Sequence, residues 1–201
     1  LPLAPNRAGG RLYAGSTHRT IHVSELSNPK AESSAQWQGH ENYVSALAFA
    51  PRPTGPAVIS GSYDRQLCWW DVEAGKVTKT VAAHKGWVRD LVPSPNGHLL
   101  ASAGDDMLIK LWDTDDAQEY RTLKGHATKT PQGFVTALYV VAFSPDGKYL
   151  ASGDRIGEVR VWEVETGKAV GKFEVPVLYT FDNRQRKRSI GGIRSLALSP
   201  D

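Results

Sequence analysis

The chain contains one cysteine, Cys68, in 201 residues. That excludes an internal disulfide framework and any cysteine-cluster metal site. A single cysteine also fits a reducing compartment, so a cytoplasmic location is expected. Excess charge of one sign is scarce too: the net charge is +3, too small to draw the whole chain to nucleic acid or a membrane surface. Long apolar runs are missing. The best one, Val135 to Phe143, falls far short of the ~20 residues a membrane-spanning helix needs. There is no HExxH pair, no phosphate-binding glycine loop and no Gly-x-Ser-x-Gly elbow. His18, His22 and His98 have no metal-ligand spacing, and no carboxylate pair is marked out for acid–base work. The expectation is a protein without metal, cofactor or catalytic residues. The chain opens on Leu1 in mid-pattern rather than on methionine, so it is expected to be a stretch of a longer protein.

What the chain does have is repetition. Residues 60–71 read SGSYDRQLCWWD, and residues 102–113 read SAGDDMLIKLWD. Ser60, Asp64 and Trp70 match Ser102, Asp106 and Trp112 offset for offset. A third window, SGDRIGEVRVWE at 152–163, keeps Ser152 and Trp162 but has Ile156 at the aspartate position, leaving Asp154 as a substitute partner. A histidine lies upstream of each window: His40, His84 and His126. The tryptophans are 42 and then 50 residues apart, a period that signals a repeat architecture. Within each unit, alternating apolar runs such as VSALAF (44–49), HLLAS (98–102) and LIKLWD (108–113) are punctuated by turns such as SPDG (144–147) and ETGK (165–168). Period-two alternation with Gly, Pro and Asp at this spacing predicts four short antiparallel strands per unit and no amphipathic helix.

Gly125-His126, the FSPDG at 143–147 and the pairs Trp70-Asp71 and Trp112-Asp113 together resemble the WD40 repeat family of β-propellers. The resemblance spans essentially the whole chain. It implies an all-β fold: a partial WD40-type propeller of four-stranded antiparallel blades, with three complete repeats and two partial ones. Those divide as a partial blade at 1–36, repeats at about 37–78, 79–120 and 121–173, and the start of a further repeat at 174–201. Closed propellers have about four to eight blades, and the family usually has seven, which would take roughly 300 residues. The SPDGK turn at 144–148 and the short inter-blade turns resemble bacterial members, where propellers are often fused to kinases or other enzymes.

Serine, histidine and aspartate in one window also spell a hydrolase triad. The resemblance implies otherwise. In this family those residues and the tryptophan form a buried hydrogen-bonded tetrad in each blade: His40–Ser60–Asp64–Trp70, His84–Ser102–Asp106–Trp112, and His126–Ser152–Trp162 without its aspartate. Buried polar groups that satisfy one another suit that role. A set recurring in every blade is what a scaffold needs and catalysis does not. Cys68 alternates inward with Trp70 and reads as a small buried hydrophobe. Trp37, Val81 and Leu123, each three residues before a histidine, read as core.

Function is expected on the face where turns precede first strands. Two insertions enlarge it, residues 127–134 and residues 176–192, and loops on a rigid scaffold are where binding usually resides. The implied role is a non-catalytic scaffold for a protein or peptide partner on that face. The candidate contacts are Tyr43, Trp87 and Phe134, each directly before a valine read as the start of a first strand, and Tyr63, Asp105 and Arg155, each before the aspartate-turn position. The second loop also carries RQRKR at 184–188, so Arg184, Arg186, Lys187 and Arg188, with Tyr179 and Phe181 nearby, are a candidate anion or nucleic-acid patch. That reading, and a docking role within a larger enzyme, stand as the alternatives.

Overall fold

The computed structural model describes residues 3–6, 10–27, 35–52, 54–130, 133, 135–175, 180–182, 187–189 and 192–200. Among them there is no helix, and so none long and apolar enough to cross a membrane. The strands form four consecutive four-stranded antiparallel sheets. The first contains β1 (Leu3–Asn6), β2 (Arg11–Gly15), β3 (Thr20–Glu25) and β4 (Ala35–Gln38). The second contains β5 (Val44–Ala50), β6 (Ala57–Ser62), β7 (Gln66–Asp71) and β8 (Lys76–Ala82). The third contains β9 (Val88–Pro93), β10 (Leu99–Gly104), β11 (Leu108–Asp113) and β12 (Glu119–Lys124). The fourth contains β13 (Leu138–Phe143), β14 (Tyr149–Asp154), β15 (Glu158–Glu163) and β16 (Ala169–Glu174). A small hairpin follows, β17 (Thr180–Asp182) with β18 (Lys187–Ser189). The opening segment, expected as a partial blade, thus supplies four strands, the last ending at Gln38 rather than at 36. Each fourth strand completes the sheet it follows, so sheets end at 82, 124 and 174, four, four and one residues past the repeat divisions read from the sequence.

Burial follows strand order. In the second to fourth sheets the second strands are buried almost throughout, β6 with every residue buried and β10 and β14 nearly so, whereas the fourth strands β8 and β16 are mostly exposed. A strand covered on both faces favours small and apolar residues, and AVISGS in β6 and YLASGD in β14 supply them. Successive sheets face one another across apolar layers. Trp37 of β4 stacks on Trp70 of the next sheet with centroids 5.6 Å apart, and Tyr13 leans on Trp37 at 5.2 Å. Each such pair adds about 0.5–1.5 kcal/mol beyond area burial. The same position is filled by Val81 in β8 and Leu123 in β12, both in the inter-sheet core.

Neighbouring first strands are tied by side chains as well. Ser45 Oγ donates to the Val88 carbonyl at 2.6 Å, and Asp90 Oδ2 accepts the Val141 N–H at 3.0 Å. At the outer edge, Arg52 and Trp69 both donate to the Thr114 carbonyl. Glycine makes the close approach possible: a Cβ on Gly61 would lie 2.5 Å from a Val88 methyl, and one on Gly153 would lie 2.6 Å from Ile193.

Candidate partner-binding face

The tetrads hold the turns that build this face. Trp70 Nε1 donates to Ser60 Oγ at 2.8 Å, Ser60 Oγ is bonded to His40 Nε2 at 2.6 Å, and His40 Nδ1 lies 2.8 Å from Asp64 Oδ2. The third sheet repeats this through Trp112, Ser102, His84 and Asp106, with distances of 2.8–2.9 Å. Burial disfavours the His40 imidazolium, but the Asp64 carboxylate and the neighbouring Cys68 sulfur together outweigh it and raise the ring's pKa. The same pairing lowers that of Asp64 despite its burial. The geometry is that of a serine–histidine–aspartate triad, yet Ser60, Ser102 and Ser152 are fully buried. Each serine oxygen is occupied by a tryptophan N–H, so none of them can meet a substrate. Cys68 is buried beside this network, with Sγ 3.5 Å from Thr80 Oγ1.

Asp64 also accepts the backbone N–H groups of Glu41 and Gln66 at 2.9 Å. One carboxylate therefore ties the loop after the histidine to the β6–β7 turn. In the fourth sheet, His126 Nδ1 meets Asp154 Oδ2 at 3.0 Å, two residues earlier in the chain than the tetrad aspartates of the other sheets. Asp154 Oδ1 accepts the N–H groups of Ile156 and Glu158, so this carboxylate serves its own turn. Glu158 joins the cluster, 3.5 Å from His126 Nδ1. His126, Asp154 and Glu158 offer ligand atoms at cation-site spacing. Glu158, however, is already neutralised by Arg160 at 2.5 Å and Lys172 at 3.1 Å, so a metal ion would have to displace both.

On the face itself, Tyr43 and Trp87 are exposed by 48% and 44%. Exposure of two large aromatics side by side is uncommon unless something covers them. Between them lies Tyr63, its ring 4.2 Å from Trp87 and 8° from parallel, and 5.8 Å from Tyr43. The backbone explains the grouping. Tyr63 N–H donates to the Tyr43 carbonyl, and Asp105 N–H to the Trp87 carbonyl, so each turn residue is clamped to the residue that opens the first strand.

Sequence reasoning missed the residue that organises this cluster. Arg89 forms a two-pronged ion pair with Asp105, at 2.5 and 2.9 Å, and donates to Tyr63 Oη at 3.2 Å. Its guanidinium lies 5.0 Å from the Trp87 ring centroid. Burial works against the Arg89 charge, and the Asp105 pair more than offsets it, so its pKa rises. Arg89 occupies a β-bulge: the register of β9 on β10 skips it, just as Ser45 is skipped in β5 and Tyr139 in β13. A bulge residue leaves the ladder and re-aims its side chain. Ser45, Arg89, Tyr139 and Arg194 line one cavity of about 320 Å³, closed by Thr17, Tyr43, Val44 and Tyr63. Arg194 follows Ile193, which donates to the Asp154 carbonyl. Its guanidinium stacks 4.0 Å over Tyr139. Beyond Tyr63 a second cleft of about 510 Å³ opens between the second and third sheets, lined among others by Glu41, Arg65, Lys85 and Trp87.

Two expected sites are placed differently. The first strand of the fourth sheet begins at Leu138, not at Val135, which is 67% exposed and bridges back to Lys129. The insertion folds on itself there, and the residue clamped by the turn, through Arg155 N–H, is Ala137. Phe134 is therefore not the counterpart of Tyr43 and Trp87, and it lies outside the described residues. Arg155 is half-buried and is not among the residues that line the cavity; Gly192, at φ +116°, packs on its backbone where a Cβ would lie 2.9 Å from Arg155 Cα. Arg184, Arg186 and Tyr179, and the side chains of Phe181, Lys187 and Arg188, lie outside the described residues as well.

Comparison with known proteins gives three matches to one family model, described as WD domain, G-beta repeat, at residues 31–71, 75–113 and 117–163. The chain is 31% identical over 146 residues to a nuclear distribution protein PAC1 of Arthroderma otae, covering 62% of this chain and 32% of that protein. It is 37% identical over 136 residues to the nuclear distribution protein nudF of Aspergillus flavus, covering 66% and 28%. It is 30% identical over 129 residues to the small ribosomal subunit protein RACK1y of rice, covering 64% and 35%. The chain thus spans about a third of the length of these curated relatives.

Proposed function

The chain belongs to the WD40 repeat family, and from that premise we propose that it is a non-catalytic interaction scaffold whose partner, a protein or peptide segment, lies across the Tyr43–Tyr63–Trp87 ledge. The observation that carries this is the exposed Trp87 stacked on the half-buried Tyr63, the pair held by Arg89 and Asp105. Rigid aromatic and arginine side chains, pre-ordered and flanked by two clefts, are what interface hot spots are made of. Little ordering entropy remains to be lost on binding. Arg194 lines the cavity beside the ledge, which favours the same face for the partner. A reducing cytoplasmic compartment suits the buried thiol of Cys68.

The test is affinity capture from the source extract with three full-length baits: wild type, a Tyr43→Ala/Tyr63→Ala/Trp87→Ala variant, and a form lacking residues 177–190. Partners retained by wild type and lost by the triple variant support the ledge. Loss of a hot-spot aromatic costs about 2 kcal/mol or more, roughly 30-fold in affinity. A partner held equally by wild type and the triple variant would sink the proposal. Loss confined to the deletion would move the site to the loop.

A further inference from the structure

The cavity beside the ledge has a one-sided chemistry. Two cations line it, Arg89 and Arg194, and no carboxylate does among the described residues. Arg89 is spoken for by Asp105. Arg194 is exposed, stacks on Tyr139, and has no ion-pair partner among the described residues. Tyr63 adds a second donor: its oxygen accepts from Arg89, so its own proton is left to point elsewhere. A guanidinium and a polarised phenol in one recess ask for a group that only accepts, and an ionised carboxylate is such a group. The outer cleft is lined by the exposed Arg65 and Lys85 and by two carboxylates, the exposed Glu41 and the half-buried Asp64, the latter already paired with His40.

Resting on the scaffold reading above, we propose that the ligand is an acidic peptide segment. One Asp or Glu side chain enters the bulge-lined cavity to pair with Arg194, and the chain then crosses Tyr63 and Trp87 into the outer cleft. Arg194 is the specificity residue. Arg89, locked to Asp105, is the positioning residue that keeps the two rings parallel. A wide cavity, rather than a slot, suits a flexible acidic side chain that carries part of its hydration in with it.

The experiment is a synthetic peptide array, randomised at six positions and including phosphoserine, probed with the full chain and with Arg194→Glu, Arg194→Lys and Trp87→Ala. Wild type should select Asp or Glu at one fixed position, and replacing that residue by its amide should weaken binding about tenfold, as losing a charge-assisted bond does. Arg194→Lys should keep the preference, and Arg194→Glu should exchange it for Lys or Arg. Since Arg194 is exposed, thermal melting should confirm that both variants stay folded. If wild type and Arg194→Glu select the same peptides, the acidic reading is overturned while the ledge stands. Tenfold or greater preference for phosphoserine over Glu overturns it in favour of phosphate. If wild type selects nothing, or Trp87→Ala selects as wild type does, the ledge itself fails and this proposal with it.

Discussion

Asp90 shows how one side chain couples position to charge. It follows the bulge residue Arg89, and its carboxylate reaches across to the Val141 N–H of the next sheet. Burial pushes its pKa from the usual carboxylate range up to about 6, against the lowering effect of the backbone N–H groups of Val141 and Leu91. A folded-state pKa above the unfolded value favours the neutral acid in the fold. That contribution is complete below about pH 4 and is lost as pH rises through about 6, a change on the order of 3 kcal/mol. Asp90→Asn keeps an oxygen for Val141 and cannot ionise. Urea midpoints at pH 4.5 and pH 8 should therefore show wild type losing stability relative to Asp90→Asn as pH rises. A constant difference between the two proteins would show that Asp90 ionises freely in the fold. Residues of this kind are the least legible in a sequence. Asp90 lies in a run, VRDLV, that reads as an ordinary strand with polar outward positions. Its burial depends on β13, some fifty residues on.

At the level of the element, the recurring device is a bulge at the start of the first strand in the second, third and fourth sheets. Strict alternation treats Arg89 as one more outward charge, so period-two reading could not set it apart. Lining up Ser45, Arg89, Tyr139 and Arg194 as the residues one past Val44, Val88, Leu138 and Ile193 would have done so. Tyr43, Tyr63, Trp87 and Asp105 were reachable from repeat offsets alone, because the tight turns hold them in fixed relation to the tetrads. Phe134 was misplaced because the insertion offers a valine, Val135, three residues before the strand opens. The bulged strand depends in turn on its neighbour. Val88 seats where Gly61 has no side chain. Gly61→Val would set branched carbons against Val88, and overpacking of that kind costs about 1–3 kcal/mol. Because Arg89 follows Val88, the variant should lower both the melting temperature and binding at the ledge. Gly171→Ala is the control, since its Cβ would meet nothing closer than 3.4 Å. Equal melting of the two variants would mean that the sheets slide apart without strain.

Across the whole molecule, stability is passed from sheet to sheet through one repeated contact. Trp37 is 6% exposed and Leu123 1%, each covered by the sheet that follows. Phe173 holds the same register in β16, opposite Val159 as Leu123 is opposite Ile109, yet it is 60% exposed, with Val170 nearby at 56%. The period itself was legible because every sheet must present the same apolar layer to its neighbour. Which layers are covered depends on what lies beside them in space, and no spacing reports that. The consequence is a gradient in this 201-residue chain. Leu123→Ser should cost about 2–4 kcal/mol, as cavity-forming core changes do. Phe173→Ser, which leaves an exposed site, should stay within about 0.5 kcal/mol. Exposed apolar edges favour self-association, so Phe173→Ser should also reduce concentration-dependent light scattering while its unfolding midpoint holds. A large stability loss for Phe173→Ser would show that another part of the chain covers that face in solution.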